Sequence, residues 1–320
     1  MNKIIQRIER KAQVPGLASI LAERLAPTDL QSLLLAVYHH RSTKLQPSTV
    51  LANFEKDQFV RPSAVSPVAL AKWEQVAFSR LPQEFEALAL SPVCPLGTNS
   101  VVASVTQDWA VSTARNTEVV SDSTNVLALE CAVRRRELLR LNPRSTDSVH
   151  LAASHRLLRA QNYKSAKLSA HFSAFALCSA GRDLGNLRFE LSTLGLHIRF
   201  YLGALHSYLG PTVPLHLSVT DFKQSKGQDF LETQLLTPIQ SEFENVTCTI
   251  DNQRTSGRGY YPDLCFHIHA SGSSGQLLQL VDGGSVNWTQ KYLSNAKERV
   301  VISGIGSERL CAEFGNNNTA

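Results

Sequence analysis

The chain has 320 residues, 43% hydrophobic, 18% charged and 7% aromatic, with a formal net charge of +5. That composition supports one large globular core with room for a smaller appendage, and no stretch is apolar enough for the ~18-residue run of a membrane span. A charge this mild permits contact with nucleic acid without arguing for it. Cys94, Cys131, Cys178, Cys248, Cys265 and Cys311 stand singly, with no pair at metal or redox spacing. Reduced thiols and a cytoplasmic location are the plain expectation. The N-terminal run Met1-Asn2-Lys3-Ile4-Ile5-Gln6-Arg7 lacks the apolar core of a signal peptide.

Residues 1–45 read as helices, with Thr28 and Gln31 at capping-box spacing before the apolar run Leu33 to Val37. Neighbouring residues on a helix point about 100° apart, so His39-His40 is a poor ligand pair. Pro47, Pro62 and Pro67 mark 46–68 as a connector. Residues 1–67 therefore form an expected helical appendage and linker, and 68–320 the core. A helix is expected over 67–85, where Leu70, Trp73, Val76, Ala77 and Leu81 recur at helical spacing. Strands are expected over 101–105 and 109–113, then a helix over 126–141. Asp122 and Thr124 stand just before that helix; both residue types cap helix starts, and a carboxylate there also accepts a ligand cation. Arg134, Arg135 and Arg136 fan around its axis, as expected of a solvated face paired with Glu130 or Glu137.

A strand over 149–159 ends in Arg159-Ala160-Gln161; a polar loop, 162–167, and a second strand with Phe172 follow. Leu187, Leu191, Leu194, Ile198, Leu202 and Leu205 predict a long helix over 185–209, stopped by Gly210-Pro211. Beyond it come a strand over 215–219, a helix over 226–243 and a strand over 246–250. His197, His206 and His216 are spread over separate elements and read as core or surface histidines. The last quarter begins Arg254-Thr-Ser-Gly257-Arg258-Gly-Tyr260-Tyr261 and continues through strands 264–269 and 277–281 to the Asp282-Gly283-Gly284 turn. His267 and His269 share one strand face, without a third ligand type nearby; no metal site is expected. A final strand over 300–305 runs into Gly304-Ile-Gly306-Ser-Glu308-Arg309-Leu310. Glycines there let a ligand or neighbouring strand approach closely, and the arginine can stack on a base or pair with a phosphate.

This last segment resembles the third signature motif of class II aminoacyl-tRNA synthetases, most closely the histidyl-tRNA synthetase branch. Gly257 to Tyr261 resembles that branch's histidine-binding loop. The 67–97 helix, strand and proline resemble the first motif, which builds the family's dimer interface. The strand–loop–strand over 149–177 resembles the second. The likeness runs over about 68–310 with the motifs in order, and implies an α+β fold: an antiparallel sheet flanked by helices, with a small N-terminal helical appendage. It also implies a nucleotide site of Arg159, Gln161, Phe172, Glu308 and Arg309, an amino-acid site of Asp122, Thr124, Arg258, Tyr260 and Tyr261, ATP with Mg2+ as cofactors, and a homodimer. Arg159 matches the arginine on the ATP α-phosphate, and Phe172 the aromatic that stacks on adenine.

The chain departs from the family pattern in four places. Gln161 stands for an acid, Ala174 for a glutamine, Ser256 for the binding-loop arginine and His267 for another acid. Arg258 or Arg254, two residues to either side of Ser256, is the available substitute. The chain also ends soon after the third motif, where the family's anticodon-binding domain follows, so acylation of tRNA is not expected. Two readings remain open. One is a regulatory or binding subunit for an amino acid or adenine nucleotide, with a partner enzyme, as in the regulatory subunit of ATP phosphoribosyltransferase. The other is an ATP-dependent ligase that activates a small carboxylate for a non-tRNA acceptor.

Overall fold

The computed structural model describes residues 2–103, 105–161, 170–224, 227–272 and 275–315. Its centre is an eight-stranded sheet in the order β1-β4-β5-β10-β9-β8-β6-β7. The strands are β1 (Phe85–Ala87), β4 (Val149–Leu158), β5 (His171–Arg182), β6 (Leu215–Asp221), β7 (Val246–Ile250), β8 (Leu264–Ser271), β9 (Leu277–Val286) and β10 (Glu298–Ile305). Only the outermost pairs, β1 with β4 and β6 with β7, run parallel. The neighbours between them are antiparallel. The α+β class expected from the sequence is the architecture observed.

Side chains alternate across this sheet with a period of two, which gives it two different coats. One face carries Phe175, Leu177, Phe266, Ile268, Val281, Val301 and Ile305. It packs against α5 (Pro67–Ser79) and α7 (Arg188–Leu209). The 22-residue α7 buries Leu194, Ile198, Leu202 and Leu205 completely. Trimming one of these leucines to alanine costs about 2–5 kcal/mol, from lost transfer energy and the cavity left behind. The opposite face carries smaller residues, Ala153, Ala176, Cys178 and Cys265, under α6 (Ser123–Leu141) and α10 (Trp288–Leu293). Over β8 and β9 this second face stays half-open, and the Asp282 side chain is 42% exposed there. That opening is the cleft.

Several local expectations change. The helix over 67–85 stops at Ser79, and Phe85 begins a strand that pairs with His150. Residues 101–113 form no named strand; β2 (Val93–Pro95) instead pairs with β3 (Thr117–Val119). The buried Glu118 carboxylate holds the intervening loop, accepting from the Gly97 and Asn99 amides and the Asn99 and Gln107 side chains. Gly283-Gly284 is not a turn but mid-strand in β9. A Cβ on Gly283 would lie 2.5 Å from Phe266, and one on Gly284 2.5 Å from the Leu264 carbonyl. Arg135 is not solvated: it is fully buried and donates twice to the equally buried Glu298 of β10. Arg134 behaves as expected, pairing with Glu130, and adds Glu86.

The N-terminal helices are α1 (Asn2–Ala12), α2 (Leu17–Ser19) with the π-helical turn Ile20–Arg24, α3 (Pro27–Ser42) and α4 (Pro47–Lys56). The expected capping box is absent: α3 starts at Pro27 after Ala26, with no side-chain cap, and Thr28 lies inside the helix. Pro47 likewise opens a helix inside the expected connector, since proline is pre-set for a first helical turn. None of the described residues in α2, α3 or α4 is buried. The segment meets the core where Asn116 donates to the Pro27 carbonyl and where Nε2 of His171 meets the Arg61 carbonyl at 2.6 Å.

Between the sheet and α7 runs a buried polar chain. His197 is wholly buried, with Nε2 2.8 Å from Ser179 Oγ and Nδ1 2.7 Å from Ser303 Oγ. Ser179 in turn meets His150 at 2.8 Å. Burial, with help from His150, pushes the His197 pKa down to about 3 from an ordinary 6.5. The unfolded chain therefore takes up the proton first on acidification. This contribution to stability is whole above about pH 6.5 and drains away as the pH falls toward 3. Between pH 6.5 and 5 the loss is about 2 kcal/mol from this one group. Urea unfolding at the two pH values should show it, and His197→Gln should flatten the pH slope; an unchanged slope would contradict the burial argument.

Candidate functional site

The cleft is built on one row of the sheet. Across it, Ala153, Ala176, Gly304, Asp282, His267 and Ser218 are successive partners on β4, β5, β10, β9, β8 and β6. The first three give a low floor. A Cβ on Gly304 would meet only the Phe175 carbonyl, at 3.7 Å, so packing does not require glycine there. A strand glycine with open space above it suits close approach of a ligand.

On the β9 side the floor rises to Asp282. Its carboxylate accepts from Arg254 Nη2 at 3.0 Å, from Tyr261 Oη at 3.1 Å and lies 3.2 Å from His267 Nε2. The loop before β8 makes this possible. Gly257 and Gly259 hold φ of +82° and +88°, a region side-chain-bearing residues rarely adopt. A Cβ on Gly257 would press on Tyr261 at 3.1 Å and on Arg254 Nη2 at 3.2 Å. Arg254 is folded back by a second bond, from Nε to the Ser256 carbonyl at 2.8 Å. Its Nη1 is buried and has no hydrogen-bond partner among the described residues. Arg258 points elsewhere: it is exposed, with its guanidinium 5.3 Å from the Phe222 ring centre. Of the two arginines that could replace the one missing at Ser256, only Arg254 is bonded to Asp282.

On the β4 side stand the other expected residues. Asp122 is the N-cap of α6, and Oδ1 accepts from the Thr124 amide at 2.9 Å and from its hydroxyl at 2.8 Å. The cap and ligand readings are compatible, because Oδ2 is left for Arg159, 3.5 Å away. Arg159 follows the end of β4. Its Nε donates to the Ser121 carbonyl at 3.0 Å, and its guanidinium lies 5.2 Å from the Phe172 ring centre. Gln161 follows directly, with its amide bonded back to the Arg159 carbonyl at 2.7 Å. The polar loop 162–167 lies outside the described residues.

Tyr260 joins the two halves. Burial raises its pKa well above 10, followed by the Asp122 carboxylate; a Thr124 hydrogen bond, Asp282 and Arg159 also act on it. Tyr261 is raised for similar reasons, burial first and then Asp282. Both phenols stay protonated donors. The rings meet edge-on at 4.9 Å, and Tyr260 meets Trp288 at 5.7 Å, so their positions are fixed by packing. The cleft thus offers two carboxylates, each neutralised by one arginine, on either side of a phenol pair. Such a set suits a small zwitterion or a polar molecule with both donors and acceptors.

The third-motif pair divides. Glu308 turns toward α5: it pairs with Arg156 and accepts from Ser63 Oγ at 2.9 Å, while its neighbour Ser307 accepts from Trp73 Nε1 at 3.0 Å. That places Glu308 on the α5 side of the sheet, away from Asp122 and Asp282. Arg309 is exposed, and its charge is among those that lower the His269 pKa, after burial, His267, His216 and Arg254. Arg309 thus follows β10, inside the strand order, while Arg159 follows β4. In the sequence Asp282 reads only as part of a glycine turn. An acid flanked by a strand-spaced apolar run and two glycines is the sequence signal that could have marked it.

No family model matches the chain, and no curated protein does so by sequence. Solved structures do. An ATP phosphoribosyltransferase regulatory subunit/histidyl-tRNA synthetase from Bacillus halodurans superposes with a TM-score of 0.60 at 12% identity, over 81% of this chain and 83% of that one. Apo histidyl-tRNA synthetase from S. aureus gives 0.55 at 14% identity, over 79% and 69%. The fold is thus the class II synthetase-like core of the histidyl type.

Removing the shared carboxylate should loosen the loop. Asp282→Ala leaves the buried Arg254 without the side-chain acceptor it has among the described residues, and removes the acceptor of the Tyr261 hydroxyl. An unpaired buried group costs about 1–3 kcal/mol, so a lower thermal midpoint and faster proteolysis within 251–261 are expected. Wild-type stability in this variant would show that the loop is held by something else.

Proposed function

We propose that the chain is a synthetase-like paralog that binds an amino acid, an adenine nucleotide or both, and works as a regulatory or binding subunit rather than charging tRNA. One observation carries this reading: Asp122, Thr124, Arg159 and Phe172 converge beside Tyr260 over a floor of small residues. An ammonium fits between Asp122 and the tyrosine hydroxyls. A carboxylate or phosphate fits Arg159, whose side chain is 38% exposed. A planar base fits Phe172, near the guanidinium that stacks on it. Arg309, exposed after the end of β10, is the proposed second contact to a nucleotide.

The same residues explain why binding is favoured over catalysis. Adenylation concentrates charge on the α-phosphate, and a fixed cation there is worth several kcal/mol of barrier. The loop arginine that remains, Arg254, already donates to Asp282 and to a backbone carbonyl. Gln161 brings no negative charge to the second-motif position. Glu308 is engaged on the α5 side. Among the described residues no group of three or more His, Cys, Asp or Glu side chains could hold a metal ion, so no role for magnesium is derived from them. The ligase reading rests on Arg159 and Phe172, which suit an ATP-dependent enzyme equally well. A partner enzyme, a cytoplasmic location and a homodimer belong to the favoured reading. Exposed Val93, Leu96, Val101 and Trp109 offer an apolar surface for the dimer.

Pyrophosphate exchange with the twenty amino acids, ATP and magnesium separates the two. The expected result is no exchange, together with a thermal shift on adding an amino acid or ATP that Arg159→Ala removes and Arg309→Ala removes for ATP. Exchange with any amino acid would replace the binding reading by the ligase one. A thermal shift untouched in both variants would place the nucleotide elsewhere.

A further inference from the structure

On the face of the sheet away from the cleft, α7 and the segment 228–242 border a half-open pocket of about 420 Å³, lined in part by Arg188, Arg199, Gln234, Phe230, Leu191 and Leu235. We propose that this pocket is a second ligand site, for a small organic anion: a phosphate or carboxylate carried on an apolar or aromatic body. It shares no residue with the cleft, and stands whether or not the cleft binds as read above. Its size lies within the range of about 300–1,000 Å³ common for small-molecule pockets.

Both arginines are anchored along one edge and uncommitted along the other. Arg188 donates from Nε and Nη2 to the Leu184 carbonyl. Arg199 donates from Nε and Nη2 to the two oxygens of Glu242, at 2.7 and 2.8 Å. Among the described residues neither Nη1 has a hydrogen-bond acceptor. Each guanidinium is thus oriented by the protein, with donors to spare. The lining holds these two cations and no acidic side chain, so even with Glu242 against Arg199 it keeps a net positive charge.

Two features of the chain shape the space. Gly195 stands one turn before Arg199 on α7, and a Cβ there would lie 2.8 Å from Arg199 Nη1. Its missing side chain lets the guanidinium lie flat against the helix. Opposite, the helix of α8 (Gln228–Leu231) and α9 (Thr237–Glu242) widens to a π turn over Glu232–Leu236. Inserting one residue per turn rotates the side chains that follow, and Gln234 and Leu235 reach the lining. Such π turns recur at functional sites. Gln234 supplies an amide for a polar substituent, and Leu191, Leu235 and Phe230 supply contact for the apolar body.

The test uses the full chain in low-salt buffer, with phenyl phosphate, benzoate and inorganic phosphate as probes in calorimetric titrations. Phenyl phosphate or benzoate should bind more tightly than inorganic phosphate; which of the two wins assigns the anion. Arg188→Met removes an exposed side chain, should fold normally, and should weaken binding at least tenfold. Gly195→Ala, which crowds Arg199, should weaken it in the same direction. Arg159→Met removes any share taken by the cleft, and the share that Arg188→Met weakens should remain. No binding by any probe, binding indifferent to Arg188→Met, or binding lost in Arg159→Met would each overturn the proposal.

Discussion

The cleft depends on the carboxylate of Asp282 and the three groups that converge on it. A strand acid on a half-open sheet face is fixed in place by the groups that bond its oxygens. Here Arg254, Tyr261 and His267 satisfy them from two directions. His267 comes from the neighbouring strand, by register. Arg254 and Tyr261 come from the loop, and so pin it down on the sheet edge of the cleft. Once Tyr261 is placed, edge-on packing places Tyr260 against Trp288. Tyr260 then reaches Thr124 and the cap of α6. The wall of the site is therefore a chain of contacts that starts from one ion pair, and geometry on the far side inherits its precision.

This arrangement also sets the electrostatic character of the pocket. Arg254 and Asp282 cancel, as do Arg159 and Asp122. A pocket of paired charges has little long-range attraction for a highly charged ligand, and its selectivity comes from matching donors and acceptors at short range. A zwitterion satisfies both pairs at once. A polyphosphate needs surplus cations, and His269 is held toward its neutral form by burial and its charged neighbours. The balance favours an amino-acid-sized ligand at the Asp122 end, with the nucleotide reading leaning on Arg159, Phe172 and Arg309.

Much of the sheet and its long helices was legible in the sequence because the pattern is local. Helix α7 shows its apolar stripe every third or fourth residue, and β7 its alternation. What escaped was set by partners far along the chain. The three-residue strands β2 and β3 have no pattern of their own; they exist because Glu118 gathers the loop between them. Arg135 sits in a run of three arginines that reads as solvated, and only Glu298, 163 residues away, explains its burial. Gly283 and Gly284 look like a turn, yet they are strand residues with Phe266, Ser303 and Tyr261 against them. At the site, residue types were legible and assignments were not. Asp122 and Thr124 were readable as an acid and a cap, while the choice between Arg254 and Arg258 depended on which way two left-handed glycines turned the loop.

The division of Glu308 from Arg309 bears on how far the fold constrains function. Adjacent helix residues point about 100° apart, so a helix lying across the end of a strand cannot send both toward one ligand. Here α11 (Ser307–Phe314) buries Leu310, Cys311 and Phe314 in the α5 and α7 face of the core. That packing commits Glu308 to Arg156 and Ser63 and leaves Arg309 on the open side. Glu308 then serves stability: a carboxylate this buried, with a charged partner, holds the start of α11 and the linker at Ser63 together. Arg309 stays exposed, while the acid beside it is part of the scaffold. On the function proposed above, a site that spends charged groups on structure holds a ligand and has less left over with which to transform it.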